Sequence, residues 1–206
     1  VTSMHHRTTS LERTTEAYNQ RATAYTNALG NINSTSPIDQ SRISQWATNI
    51  HGRICDLGCG PGHWTHFLHE TGASVVGYDP SDQFVDIASS KFPYLNFHTG
   101  TARDLPPAHF GGILTWYSLI HTAPEHLNEE LSFIAKALSP GGSLLMGFFT
   151  GDDILPFNHA ISQGWFYPID FIRTRLQEAG FTVQSSSTRK DEGARAHGDI
   201  HAVLTS

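Results

Sequence analysis

The chain has 206 residues, enough for one domain, and a net charge of −6 from 13 basic and 19 acidic side chains. No run of Lys or Arg occurs, which speaks against nucleic acid as a partner, because neutralising phosphates takes clustered cations. The two cysteines, Cys55 and Cys59, are spaced CxxxC rather than CxxC, which disfavours a zinc or redox pair and points to reduced thiols in a cytoplasmic protein.

Residues 1–15 are rich in Ser and Thr, lack the apolar core of a signal peptide and are expected to fray. "EAYNQRATAYTNAL" then places Ala17, Tyr18, Ala22, Tyr25 and Leu29 at helical spacing, "GNINSTSP" breaks the helix, and "IDQSRISQWATNI" reads as a second one. From residue 53 the pattern becomes strand alternating with helix. Strands are expected at 53–57, 74–78, 96–98, 112–117 and 143–149, and helices at 63–70, 81–91 and 124–138. The segment 151–168, "GDDILPFNHAISQGWFYP", fits neither element and is rich in aromatics, so it reads as a lid or as a packed connector. "IDFIRTRLQEAG" gives one more helix stopped at Gly180, and "FTVQSSSTRK" and "DIHAVLTS" close the chain as an antiparallel pair of strands. The longest apolar run, "GSLLMGFF", is too short to span a bilayer. Alternating strand and helix implies an α/β fold with a mostly parallel sheet covered on both faces.

"RICDLGCGPGHW", residues 53–64, carries the chemistry. A buried strand runs into Gly58, Gly60 and Gly62, which permit close backbone approach, and a helix starts directly afterwards with its free N–H groups facing the turn. The dinucleotide fingerprint G-x-G-x-x-G would need glycine at His63, so the pattern here is G-x-G-x-G instead. Asp56 stands two residues ahead of the turn. At ~4 Å a carboxylate and an anion repel by ~4 kcal/mol at an effective dielectric near 20, so a diphosphate is penalised there. An ammonium or sulfonium is not, and S-adenosylmethionine has both. Asp79 ends the second strand, nineteen residues beyond Gly60, where an acid accepts from ribose hydroxyls. The competing role for Asp79 is a helix N-cap, which Ser81 or Asp82 can also fill.

These stretches, "DLGCGPG", "GYDPS", "GTARDLP", "WYSLIH" and "LSPGGSLLMGFF", resemble in order and spacing the class I S-adenosylmethionine-dependent methyltransferases, over about residues 50 to 150. The group most similar acts on small molecules. The resemblance implies a single Rossmann-like doubly wound sheet of seven strands in the order 3-2-1-4-5-7-6, with the last strand antiparallel. It implies one domain over 1–206, made of a helical cap (1–50), a cofactor-binding core (51–150), and a lid-like connector with the C-terminal strands (151–206). It further implies that Asp56, Gly58, Cys59, Gly60 and Gly62 surround the methionine part of the cofactor with Trp64 nearby. Asp79 would take the ribose, Pro80 the adenine face, and Thr101 and Ala102 the adenine edge. Thr101 departs from the family, which often has Asp at that position. Trp116 and Tyr117 would lie near the reacting methyl, and Tyr18 would close over the cofactor.

Methyl transfer needs a nucleophile held ~3–3.5 Å from the methyl carbon, and a base only when that nucleophile must lose a proton early. His121, after the fourth strand, is the first candidate base, with Tyr117 and His126 behind it. His63, His66 and His69 recur at three-residue spacing on one helix but lack HExxH, so they read as a polar face rather than a metal site. Arg173, Arg175, Arg189 and Lys190 read as a solvated face or as partners of an anionic group. The expected partner is a small-molecule acceptor handled by a monomer or homodimer, with no membrane contact. The readings that compete are an S-adenosylmethionine-binding protein without catalysis, an RNA methyltransferase and a NAD-dependent oxidoreductase.

Overall fold

The computed structural model describes the backbone of residues 2–205 and the side chains of residues 12–205. The first five strands are β1 (Ile54–Leu57), β2 (Val75–Asp79), β3 (Asn96–Thr99), β4 (Phe110–Trp116) and β5 (Leu138–Phe149). They are parallel throughout, with Asp56 in register between Gly77 of β2 and Leu114 of β4. All four β1 residues are buried, because both faces of the sheet are covered. Ile54, Val75, Leu114 and Leu145 face α2 (Pro37–Ala47) and α3 (His63–Glu70). Cys55, Val76, Ile113 and Leu144 face the opposite way, into the cluster of α5 (Leu127–Ala137) and α6 (Ile169–Glu178).

A short hairpin, β6 (Leu155–Asn158) with β7 (Gln163–Phe166), forms a separate two-stranded sheet. β8 (Phe181–Arg189) and β9 (His197–Leu204) complete the main sheet, in the order β3-β2-β1-β4-β5-β9-β8. β9 runs antiparallel to both β5 and β8. With the hairpin set aside, this is the seven-strand order expected from the sequence.

Two expectations need correction. Segment 151–168, which fits neither element by sequence, holds the hairpin. Its four-residue strands are half exposed and show no alternation of the kind that marks a half-buried strand. The stretch expected to fray instead continues α1, which spans Thr2–Leu29; residue 1, and the side chains up to residue 11, lie outside what is described. Tyr18 and Tyr25 seat α1 by packing on Phe84 of α4 (Asp82–Lys91), each with ring centroids 5.6 Å apart.

The strand order reverses between β1 and β4. Open α/β sheets leave a crevice beyond the strand ends at such a point. Here α1 lies over it, and the hairpin tip is bonded to α1.

Candidate active site

The crevice is a cavity of about 500 Å³. Its floor is the turn after β1, where the three glycines do different things. Gly58 has φ +80°, and a Cβ there would fall 2.2 Å from Ser118 Cβ, so it lets the β1 and β4 loops touch. A Cβ at Gly62 would meet Phe97 and Ala88 at 2.9–3.0 Å, which is packing against β3 and α4. A Cβ at Gly60 would meet nothing within 4 Å. Gly60 is therefore where the backbone lies open to a ligand.

Two acids hold this floor. The Asp79 carboxylate accepts from the Gly60 N–H (2.8 Å) and the Ser81 N–H (2.9 Å), tying the turn to β2. Each oxygen keeps a further lone pair, and Asp79 lines the cavity. Burial pushes its pKa up to about 6, against the pull of those two N–H bonds. Ser81 caps α4 through the Phe84 N–H, so the capping alternative for Asp79 falls to its neighbour. Asp56 lies below the turn, 2% exposed, and accepts from Thr65 Oγ1 at 2.7 Å. Burial pushes its pKa up to about 7, with Asp79 adding to the rise and Thr65 opposing it. Asp56 does not reach the cavity wall; its charge acts from beneath the floor.

The roof comes from α1, which the hairpin braces without lining the cavity. Thr14 Oγ1 and Ser162 Oγ lie 3.1 Å apart, and Arg21 donates to the Ala160 carbonyl. Between roof and floor, His121 bridges Tyr18 and Gln163. Its Nδ1 is 2.7 Å from the Gln163 carbonyl oxygen, which can only accept, so Nδ1 carries the proton. Nε2 is then the free lone pair, and Tyr18 OH donates to it at 2.7 Å. Burial holds His121 below the usual imidazole range, with the Gln163 bond opposing. A neutral imidazole with a basic nitrogen is what a proton acceptor requires, and Tyr18 covers that nitrogen here.

The other end lies over the ends of β4, β8 and β9. Tyr117 leaves β4 with φ +57°, an uncommon conformation for a side-chain-bearing residue. Both Trp116 and Tyr117 thereby line the cavity, although consecutive strand residues point to opposite faces. Trp116 lies across Gly147, where a Cβ would fall 2.7 Å from the indole. Tyr117 OH meets His197 Nδ1 at 2.5 Å. Arg189 pairs with Asp39 (2.8 Å) and Asp191 (3.1 Å). Two buried polar atoms in the cavity wall, His63 Nδ1 and Ser118 Oγ, have no hydrogen-bond partner in the protein, the condition of groups that await a ligand.

Residues 54–142 match a family profile described as a methyltransferase domain. Over part of its length the chain is similar to methyltransferases. It is 30% identical over 114 residues to an uncharacterized methyltransferase of Synechocystis sp., covering 54% of each chain. It is 29% identical over 117 residues to the magnesium-protoporphyrin O-methyltransferase of Rhodobacter capsulatus, covering 50% of this chain and 52% of that one. The chain thus spans about half the length of these curated relatives. Its fold is similar to that of the Burkholderia thailandensis 1,6-didemethyltoxoflavin-N1-methyltransferase, solved with 1,6-didemethyltoxoflavin and S-adenosylhomocysteine. The TM-score is 0.74 at 19% identity, over 93% of this chain and 88% of that one.

The cavity brings together Tyr18, Gly58, Cys59, Gly60, Trp64, Asp79, Pro80, Trp116, Tyr117 and His121. Asp56 and Gly62 lie behind the wall. Thr101 is turned away, donating through Oγ1 to Asp104 at 2.9 Å, and Ala102 is buried in the core. Neither lines the cavity, so the adenine edge they were expected to form is not built by their side chains. His66 stacks on Phe92 at 4.5 Å, apart from His63, and no cluster that could hold a metal occurs among the described residues. The sequence did not place His63, Asp39 and His197 in the cavity, and left Arg189 between a solvated face and a partner of an anionic group; all four line it. The signal for His63 was its place directly after Gly62. His197 and Asp39 are brought in only by long-range strand and helix placement.

Proposed function

We propose that this protein is an S-adenosylmethionine-dependent methyltransferase, transferring a methyl group to an O, N or C nucleophile of a small molecule. The observation that carries this is one continuous cavity joining the Gly60–Asp79 floor to the aromatic end at Trp116 and Tyr117. The floor fits the cofactor: an open backbone at Gly60, a carboxylate with spare lone pairs at Asp79, and the unpartnered Ser118 hydroxyl. Gly58, Gly60 and Ser118 would hold the amino-acid portion, with Asp56 supplying negative charge from below. Asp79 would take the ribose, with Pro80 and Phe84 along the adenosine. When bound, the cofactor supplies a methyl group already activated on a sulfonium, so the protein's own task is positioning. Trp116 and Tyr117 present the acceptor, and His121 Nε2 takes its proton once Tyr18 turns aside. The roof favours a small acceptor over RNA, and His121 favours catalysis over mere binding. The reading treats the chain as a single unit, monomeric or homodimeric. It also keeps the chain cytoplasmic, on the ground of two buried free thiols.

Calorimetry with S-adenosylhomocysteine and with NADH tests the cofactor assignment. Binding of the first and not the second is expected; the reverse overturns it. Formation of S-adenosylhomocysteine from S-adenosylmethionine with a panel of acceptors separates an enzyme from a non-catalytic binder.

A further inference from the structure

The acceptor end of the cavity has a sign. Among the described residues, Arg189 is the one Lys or Arg side chain lining the whole cavity, against four carboxylates, Asp39, Asp79, Glu130 and Asp191. Asp79 belongs to the floor. Arg189 is already paired with two of these acids. Its Nη1 is bonded to Asp39 at 2.8 Å and its Nε to Asp191 at 3.1 Å, and its side chain is only 20% exposed. Asp39 is held in turn by Trp116 Nε1 at 3.4 Å, so the acid, the arginine and the indole form one fixed unit. The histidines beside it do not add positive charge. Burial holds His63 down to about 4 and keeps His197 below its ordinary range. Three aromatic side chains, Trp116, Tyr117 and Trp64, also line this end; neighbouring rings stand at 68° (Trp64 with Trp116) and 80° (Trp116 with Tyr117), so a planar guest meets ring faces and ring edges.

From this geometry we infer that the methyl acceptor is a flat aromatic molecule, neutral or positively charged, and that acceptors bearing a carboxylate are rejected. A carboxylate entering beside Trp116 would meet two acids and an arginine whose charge they already offset, with Nη1 and Nε bonded to them. To take the place of Asp39 it would have to leave that acid, only 12% exposed, without its arginine, which is strongly unfavourable. A protonated amine or a neutral ring nitrogen or hydroxyl meets acceptors on Asp191 and on the outer face of Asp39 and keeps the arginine pairs intact. The aromatic walls add stacking and, for a cation, attraction to the ring faces.

This inference rests on the methyltransferase reading, and its test is separable from it. Three probes of equal ring shape differ only in charge: tryptamine, indole-3-ethanol and indole-3-acetate. Their affinities are measured by ligand-observed NMR with the S-adenosylhomocysteine-loaded protein and again with the ligand-free protein. Tryptamine and indole-3-ethanol should bind at least tenfold tighter than indole-3-acetate in both. Equal or tighter binding of the acetate, or binding of none of the three, overturns the inference. Failure of S-adenosylhomocysteine to bind overturns the cofactor reading alone, because the probe ranking on the free protein still stands. Asp191→Asn, at an exposed position, should narrow the tryptamine-to-acetate ratio at least threefold, and Asp39→Asn together with Asp191→Asn should reverse it by releasing Arg189. An unchanged ratio in the single variant counts against the inference even if the double variant fails to fold.

Discussion

Asp56 and Asp79 share a property that a pH experiment reads directly. Both are pushed above the ordinary carboxylate range by burial, to about 7 and about 6. Between about pH 4 and pH 7 the folded chain therefore holds protons that the unfolded chain has lost. Without ligand, this pair lowers stability as pH rises through that window, by up to about 1.4 kcal/mol per pH unit for each group still titrating. Asp56→Asn keeps an acceptor for Thr65 and removes its share, so its urea midpoints at pH 5 and pH 8 should lie closer together than those of the parent. A positively charged ligand favours the ionised acids, so S-adenosylmethionine should bind more tightly at pH 8 than at pH 5.5. Identical affinity at both pH values would mean that neither acid feels the cofactor's charge. His121 makes the second prediction at this scale. His121→Gln retains a polar group between Tyr18 and Gln163 but no basic nitrogen. Turnover should fall by about 10²–10⁴-fold for an acceptor that must lose a proton. Calorimetric affinity for S-adenosylhomocysteine should stay within about threefold, since cofactor contacts do not pass through that ring.

The turn between β1 and α3 separates what glycine does for folding from what it does for binding. Gly58→Ala combines a positive φ with a Cβ 2.2 Å from Ser118 Cβ, so it should lower the melting temperature clearly. Gly60→Ala meets open space at φ +51°, a left-handed conformation that costs alanine about 1–2 kcal/mol. It should cost less stability than Gly58→Ala, yet reduce S-adenosylhomocysteine affinity more than tenfold by placing a methyl group in the path of the ligand. Thermal melts and calorimetry on the two variants check both halves. The same turn shows what the sequence discloses. Glycine spacing, the preceding acid and the buried strand located the floor, because all three are local in the chain. The division of labour among the glycines was not legible, since it depends on Ser118 and Phe97 arriving from other elements. The hairpin was hidden for another reason: its strands are four residues long, without alternating burial, and interrupted by Pro156. Thr101 was misplaced because Asp104 takes its hydroxyl, a bond only the short 3₁₀ turn at Ala102–Asp104 creates. Arg189 and His197 sit at facing ends of β8 and β9, and only the pairing of those strands with β5 carries them to the cavity.

At the scale of the molecule, floor and roof have different origins. The floor is the switch point of the sheet, fixed by strand order. The roof is α1, tied to the hairpin, a segment far from it in sequence, by contacts such as Thr14 with Ser162 and Arg21 with the Ala160 carbonyl. Parting these two breaks exposed or half-exposed polar contacts, whereas opening the floor would break the core. The expected way out for a molecule held beneath that roof is the parting of this joint. Exchange with solvent is then governed by a clasp that touches no reacting atom. Replacing Thr14 and Ser162 by cysteines places two thiols where the hydroxyls now stand 3.1 Å apart. Once oxidised, such a protein should imprison S-adenosylhomocysteine loaded beforehand, with escape slowed at least tenfold in a chase experiment and restored by reductant. Unaltered escape from the oxidised protein would show that traffic passes through another doorway.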